Sequence, residues 1–187
     1  MKKTFLAAAA ALALTAGVAH AAPKNFDGFY VGAEIGGAVA GTENLGADFY
    51  GNGFTGGIFG GYGATFNDFY VGAELNGSIT NLDTDFGNAS LKKKHGYGIA
   101  ARLGYLFAPS TLGYGVVGWE RGRFELSSNG VDDSAWVDGL KVGAGLEYAL
   151  DRNLSVRGEL AFINWDKKDV GTKSHEIDAK VGVAYHF

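Results

Sequence analysis

The chain contains no cysteine, which excludes a disulfide framework, a thiolate metal site and the lipid anchor of a lipoprotein. Only two of its 187 residues are proline, so it is neither collagen-like nor a proline-rich linker. Acidic residues outnumber basic ones, 20 against 16, and that balance argues against nucleic acid as a partner. After residue 21 there is no apolar run of the roughly 20 residues that a transmembrane helix requires.

What is present starts with a leader. Lys2 and Lys3 form a positive n-region, Phe5 to Ala16 an apolar segment, and Ala19-His20-Ala21 a small-x-small cleavage site. This pattern predicts a signal peptide over residues 1–21, with the mature chain running over residues 22–187. The leader holds two of the 16 basic residues and none of the 20 acids, so the mature chain carries a formal charge of −6. It retains 30 of the 31 glycines, far above the norm of roughly 7%. Aromatic residues make up 13% of the chain, which excludes a disordered chain. Glycine lets side chains of opposite strands fit a narrow lumen, and aromatics line membrane interfaces. The mean hydropathy of +0.01 decides nothing, because a membrane strand is apolar only at every second position.

Period-2 alternation marks eight strands, predicted at about 28–37, 53–63, 69–78, 95–107, 112–125, 137–150, 154–163 and 176–187. Each has one apolar face and one face of Gly, Ala and charge. The phase of the fifth is open: Tyr114 and Val116 suggest one facing, Val117 and Trp119 the other. The hexapeptide Phe29-Tyr-Val-Gly-Ala-Glu34 recurs as Phe69 to Glu74, 40 residues later. That spacing fits two strands of equal direction and facing in a meander. The connections alternate between short (Ala64–Asp68, Ala108–Thr111, Asp151–Asn153) and longer, at about 10 to 17 residues rich in Gly, Asn, Asp, Ser and Thr. Short periplasmic turns and long extracellular loops are the rule for outer-membrane barrels. The expectation is an all-β protein, an eight-stranded antiparallel up-and-down transmembrane β-barrel of the outer membrane, with both termini periplasmic.

Two further patterns accompany this fold. Phe29, Tyr62, Phe69, Tyr105, Phe107, Tyr148, Tyr185 and Phe187 all fall at the periplasmic end, as a lower aromatic girdle; Phe54, Tyr97, Phe162, Trp119 and Trp136 form a thinner upper one. The inward face carries Glu34, Glu74, Glu147, Glu159 and Asp178 against Arg102, Lys141, Arg157 and Lys180. Facing lipid, a charge near the midplane would cost about 2–4 kcal/mol. Inside, neighbouring strands would pair Glu74 with Arg102, Glu147 with Arg157, Glu159 with Lys180 and Lys180 with Glu34, a structural polar core filling a lumen just wide enough for side chains. A soluble lipocalin-like carrier would have the opposite facing.

With the strands placed, the sequence resembles the small outer-membrane barrels of the OmpA-transmembrane-domain type, which include opacity-like porins and small surface antigens of alphaproteobacteria. The resemblance rests on Asp27-Gly-Phe-Tyr-Val-Gly-Ala-Glu34, on Gly143 to Leu150 leading into Asp151 to Arg157 and Glu159, and on the last strand, Val181-Gly-Val-Ala-Tyr-His-Phe187. It implies recognition of Tyr185 and Phe187 by the barrel-assembly machinery, with periplasmic chaperones in transit. Full-length OmpA-type proteins carry a further peptidoglycan-binding domain; the chain ends at the barrel, so anchoring of that kind is not expected.

Small barrels also include lipid-A-modifying enzymes and proteases, and these need a nucleophile and base on one face. Ser174 and His175 are adjacent and so point to opposite faces, His95 has only a loop serine, Ser90, near it, and His186 is expected to lack a serine on its face. No metal site is expected from His95, His175 and His186, and no cofactor. Gly60-Gly-Tyr-Gly63, Gly96-Tyr-Gly98 and Gly143-Ala-Gly145 lack the helical context of a potassium filter or phosphate loop. The run Lys92-Lys93-Lys94 is expected at the outer leaflet, where clustered lysines attract the phosphates of lipopolysaccharide. The function expected is non-enzymatic: envelope integrity, surface display and adhesion through loops that would hold an extracellular ligand. The alternative is a small passive porin-like channel.

Overall fold

The computed structural model describes residues 25–44, 47–85, 89–128, 131–165 and 174–187, with side chains over 25–39, 52–80, 95–123, 136–165 and 175–187. The leader, residues 1–21, lies outside the described residues. Eight strands follow one another: β1 (Gly28–Asn44), β2 (Ala47–Phe66), β3 (Phe69–Asp85), β4 (Ala89–Ala108), β5 (Thr111–Ser128), β6 (Val131–Ala149), β7 (Leu154–Trp165) and β8 (Ser174–His186). Each pairs with the next, and β8 pairs antiparallel with β1, so the sheet closes into an up-and-down barrel without a free edge.

Facing follows the alternation seen in the sequence. In β7 the side chains of Ser155, Arg157, Glu159, Ala161 and Ile163 are buried, while Val156, Leu160 and Phe162 are exposed. The barrel is thus inverted relative to a soluble protein, with charge inside and an apolar belt outside. This arrangement suits hydrocarbon solvent and rules out the lipocalin-like facing. The open phase of β5 resolves without a break: Leu112, Tyr114, Val116 and Glu120 point inward, Val117 and Trp119 outward. Its inward face begins with three apolar residues, so hydrophobicity does not distinguish the two sides there.

The strands run longer than the alternation predicts. β1 and β2 stay paired to Asn44↔Ala47, β3 and β4 to Asp85↔Ser90, and β5 and β6 to Ser128↔Val131. Segments expected as long loops are therefore largely continuations of the ladder. Backbone pairing needs no apolar side chain, so once the register is set below, Gly-, Asn- and Ser-rich chain extends it. Strands of up to 20 residues exceed the roughly 9–11 needed to cross a bilayer. At the other end the turns are Asn67–Asp68 and Pro109–Ser110, both shorter than expected, and 150–153, one residue longer. Asn67 takes a left-handed φ of 56°, which Asn tolerates. The Asp151 carboxylate accepts the backbone N–H groups of Asn153 and Leu154, both at 2.8 Å. These bonds hold its pKa below the ordinary carboxylate value.

The lower girdle gathers at this turn end. Phe29 packs edge-on against Tyr62 at 4.9 Å, Phe69 against Tyr105 at 5.4 Å, Tyr105 against Phe107 at 5.6 Å and Tyr185 against Phe187 at 5.2 Å. Phe54, Tyr97, Trp119, Trp136 and Phe162 are exposed on the outer face towards the opposite end.

Candidate functional site: the charged lumen

Inward glycines make room for three tyrosines. A Cβ on Gly61 would lie 2.5 Å from the Tyr30 hydroxyl and one on Gly145 2.5 Å from the Tyr114 hydroxyl, while Gly63 lies under Tyr70. The tyrosines surround Arg102, whose Cζ is 3.8 Å from the ring centroid of Tyr114, 5.7 Å from that of Tyr30 and 5.6 Å from that of Tyr70. The repeated hexapeptide thus gains a role, since each copy places a tyrosine and, four residues on, a glutamate inside the barrel.

Four cations organise the acids. Arg102 donates from Nη2 to Glu147 at 2.6 Å and from Nη1 to the Tyr30 hydroxyl at 3.2 Å, with Glu74 at 3.6 Å. Arg157 donates from Nη1 to Glu74 at 2.6 Å and from Nη2 to Glu34 at 2.8 Å, and its Cζ stands 3.3 Å from the centre of the Phe59 ring. Lys141 meets Glu159 at 2.8 Å and Glu120 at 3.8 Å. Lys180 meets Glu34 at 3.3 Å and Asp178 at 3.2 Å. Tyr30 donates to Glu74 at 3.0 Å, Tyr114 to Glu159 at 3.1 Å and Asn76 to Glu120 at 2.9 Å.

All nine charged residues singled out in the sequence lie buried in the lumen, but two expected pairs are not made. Glu147 and Arg157 are register partners, yet Arg157 reaches across to β1 and β3 while Glu147 takes Arg102. Glu159 and Lys180 are also register partners, yet Glu159 takes Lys141. The two arginines are long enough to reach acids on strands that are not their neighbours, and Lys141 meets Glu159 on the neighbouring strand away from its register position, so register alone does not select partners.

Some lumen residues were missed. Glu120 was hidden by the phase of β5. His186 does have a serine beside it: Ser155 Oγ lies 3.1 Å from His186 Nε2, on the neighbouring strand rather than on its own. Ser155 donates to Glu147 at 2.7 Å, and His186 Nε2 also lies 3.2 Å from Glu147. This is not a nucleophile–base–acid relay, because serine and glutamate share one nitrogen and Nδ1 has no hydrogen-bond partner among the described residues. Phe26 covers this end, with its ring 6.0 Å from that of His186 and packed with Tyr70, Leu112, Tyr114 and Ala149. No cluster of three or more metal-ligating side chains occurs among the described residues.

Lys92, Lys93 and Lys94 fall in β4, beside a register shift between Lys93 and His95; their side chains lie outside the described residues. Tyr185 and Phe187 are exposed on the outer face at the seam, where the Phe187 N–H donates to the Phe29 carbonyl at 2.9 Å. Gly28 turns into that seam at a φ of +101°, a conformation open to glycine.

Residues 7–187 match the outer membrane protein β-barrel domain family. The 22 kDa outer membrane protein of Rhizobium leguminosarum bv. viciae is 30% identical over 87% of this chain and 79% of its own length. Outer membrane protein A of Escherichia coli O157:H7 is 31% identical over the whole chain, which spans 55% of that protein's length. Among solved structures, Neisserial surface protein A superposes with a TM-score of 0.62 at 21% identity, over 86% of this chain and 98% of the other. Ail of Yersinia pestis does so with a TM-score of 0.56 at 19% identity, over 86% and 99%. A closed eight-stranded barrel, charged inside and apolar outside, together with these relatives, makes this chain a member of the outer membrane protein β-barrel domain family, resident in the outer membrane.

Proposed function

We propose that the protein is a non-enzymatic structural barrel whose lumen is stoppered by its own ion network and whose outer end carries the interactions with the surroundings. The observation that carries this reading is Arg157, which spans the lumen to bind Glu34 and Glu74 together. In this reading the leader is cut after Ala21, both termini lie in the periplasm, and the β1–β2, β3–β4, β5–β6 and β7–β8 ends project outward for envelope contacts and adhesion. Tyr185 and Phe187 present the last strand to the barrel-assembly machinery and its chaperones, and Lys92, Lys93 and Lys94 contact lipopolysaccharide phosphates.

Residues 22–187, refolded in detergent and run unboiled and boiled on a denaturing gel, should give a heat-shifted band, and in a planar bilayer should give no steady conductance. Steady channels that change when Glu74 or Arg102 is replaced would favour the porin-like alternative.

A further inference from the structure

The ladder does not end at one height around the barrel. Away from the turn end, β3 and β4 stay paired to Asp85↔Ser90, β4 and β5 to Ala89↔Ser128, and β5 and β6 to Ser128↔Val131. Among the described residues, β6 and β7 pair only as far as Gly139↔Trp165, and β7 and β8 only as far as Trp165↔Ser174. Above that rung β3 to β6 continue as a protruding sheet with β6 at its margin. Residues Val131–Asp138 pair with β5 on one side and have no strand partner on the other among the described residues. An antiparallel strand turns its N–H and C=O groups to alternate sides. This margin therefore presents an unfilled half-ladder, about 27 Å long at about 3.4 Å per residue.

Sheet margins are ordinarily blunted by lysine, proline or a bulge. Val131-Asp-Asp-Ser-Ala-Trp-Val-Asp138 contains neither lysine nor proline, and its register with β5 runs without a shift. Its charge is of one sign, at Asp132, Asp133 and Asp138. Asp138 is balanced by Arg121 at 3.3 Å, whereas Asp132 and Asp133 stand opposite the uncharged Ser127 and Leu126. Strand alternation puts Asp132 on the same face as Trp136, which is exposed, and Asp133 on the other. The neighbouring connection is too short to fill the margin. Residues 166–173 must leave Trp165 and return to Ser174, its register partner, which limits their reach to about four rungs, up to Ala135. The rungs of Asp132 and Asp133 lie beyond it.

We propose that this margin of β6 docks an extended, lysine- or arginine-rich segment of another protein, which adds to the sheet as a further strand. The segment's backbone completes the half-ladder and supplies affinity, while its side chains supply selectivity. A basic residue lies beside Asp132 or Asp133, and an apolar one beside Trp136. The inference deepens the outward contacts proposed above and rests on that reading, since the margin meets another protein only where this end projects from the membrane.

The test uses residues 22–187 refolded in dodecylmaltoside micelles, with the heat-shifted band as the check on folding. Three fluorescent decapeptides serve as probes: alternating Lys–Val, alternating Glu–Val, and alternating Lys–Pro, which keeps the charge but is unable to join a ladder. By anisotropy, the Lys–Val peptide should bind at least tenfold more tightly than either of the others. Its binding should slow hydrogen exchange within residues 131–138. Asp132→Asn/Asp133→Asn should weaken it at least fivefold and leave the heat shift unchanged. Equal binding of the Lys–Pro peptide would reveal charge attraction without strand addition, and equal binding of the Glu–Val peptide would reveal an edge without charge selection. Either result, unchanged binding by the double variant, or protection located away from β6 would overturn the assignment. Binding that arises only after residues 166–173 are replaced by Gly-Gly would overturn it too, by making the chain's own segment the occupant. A wild type that gives the heat-shifted band but binds no peptide would also overturn it, and would leave the stoppered barrel standing.

Discussion

Arg102 is fully buried, and its charge is met at 2.6 Å by Glu147. Removing one partner of such a pair costs about 3–5 kcal/mol, because the other charge is left without compensation. Arg102→Met should lower unfolding stability in urea, measured in detergent micelles, by that order. Arg102→Met/Glu147→Met should recover much of it; an additive loss would show that the cost lies in packing. Space is the second control at this scale. Gly61→Val would press on the Tyr30 hydroxyl and the Ala73 carbonyl, with an expected loss of about 1–3 kcal/mol. A methyl group on Gly77 would meet nothing within 4 Å, so Gly77→Ala should cause little change. Inward charges such as Glu34 and Arg157 were legible from parity alone. The pairing of Glu34 with Lys180 across the β1–β8 seam was legible as well, but the partners of Arg157 were not, because it reaches across the lumen to Glu34 and Glu74, a distance that no local pattern encodes.

Among the elements, strands with a Gly/charge face opposite a Leu/Val face, such as β6, reveal their phase directly, and β5 does not, since Tyr114 and Val116 are inward aromatics and aliphatics in a membrane barrel. Strand ends were also illegible, because ladders persist through polar sequence as long as both strands remain in register. The β6–β7 turn supplies a pH test. The two backbone N–H bonds to Asp151 favour its ionised form in the folded state. The stability this contributes is present above the unfolded pKa and is lost as the pH falls through the lower folded value. Asp151→Ala should therefore be less stable than wild type at neutral pH, and the gap should narrow on acidification in urea titrations. A gap that is constant with pH would assign the effect to turn geometry instead.

For the molecule as a whole, closure and inverted facing were legible because they need only strand count and alternation. The plug at the turn end was not: Phe26 precedes the first strand, and only the packed ring shows that it seals the mouth against Leu112 and Tyr114. At this scale the C-terminal residues are expected to separate assembly from stability. Tyr185→Ala/Phe187→Ala should lower the yield in outer-membrane fractions several-fold while refolding from urea into detergent stays close to wild type. Equal losses in both assays would make these residues ordinary girdle members.

The network also divides the chain in an instructive way. Arg157 lies in the second four strands, yet both its acids, Glu34 and Glu74, lie in the first four, 123 and 83 residues away. Arg102 lies in the first four, and its close acid, Glu147, lies 45 residues on in the second. Each half therefore holds close acids for an arginine of the other, much as two fragments of a broken seal match one another. Cut at Pro109–Ser110, the two pieces would be expected to recombine by mutual recognition rather than with copies of themselves.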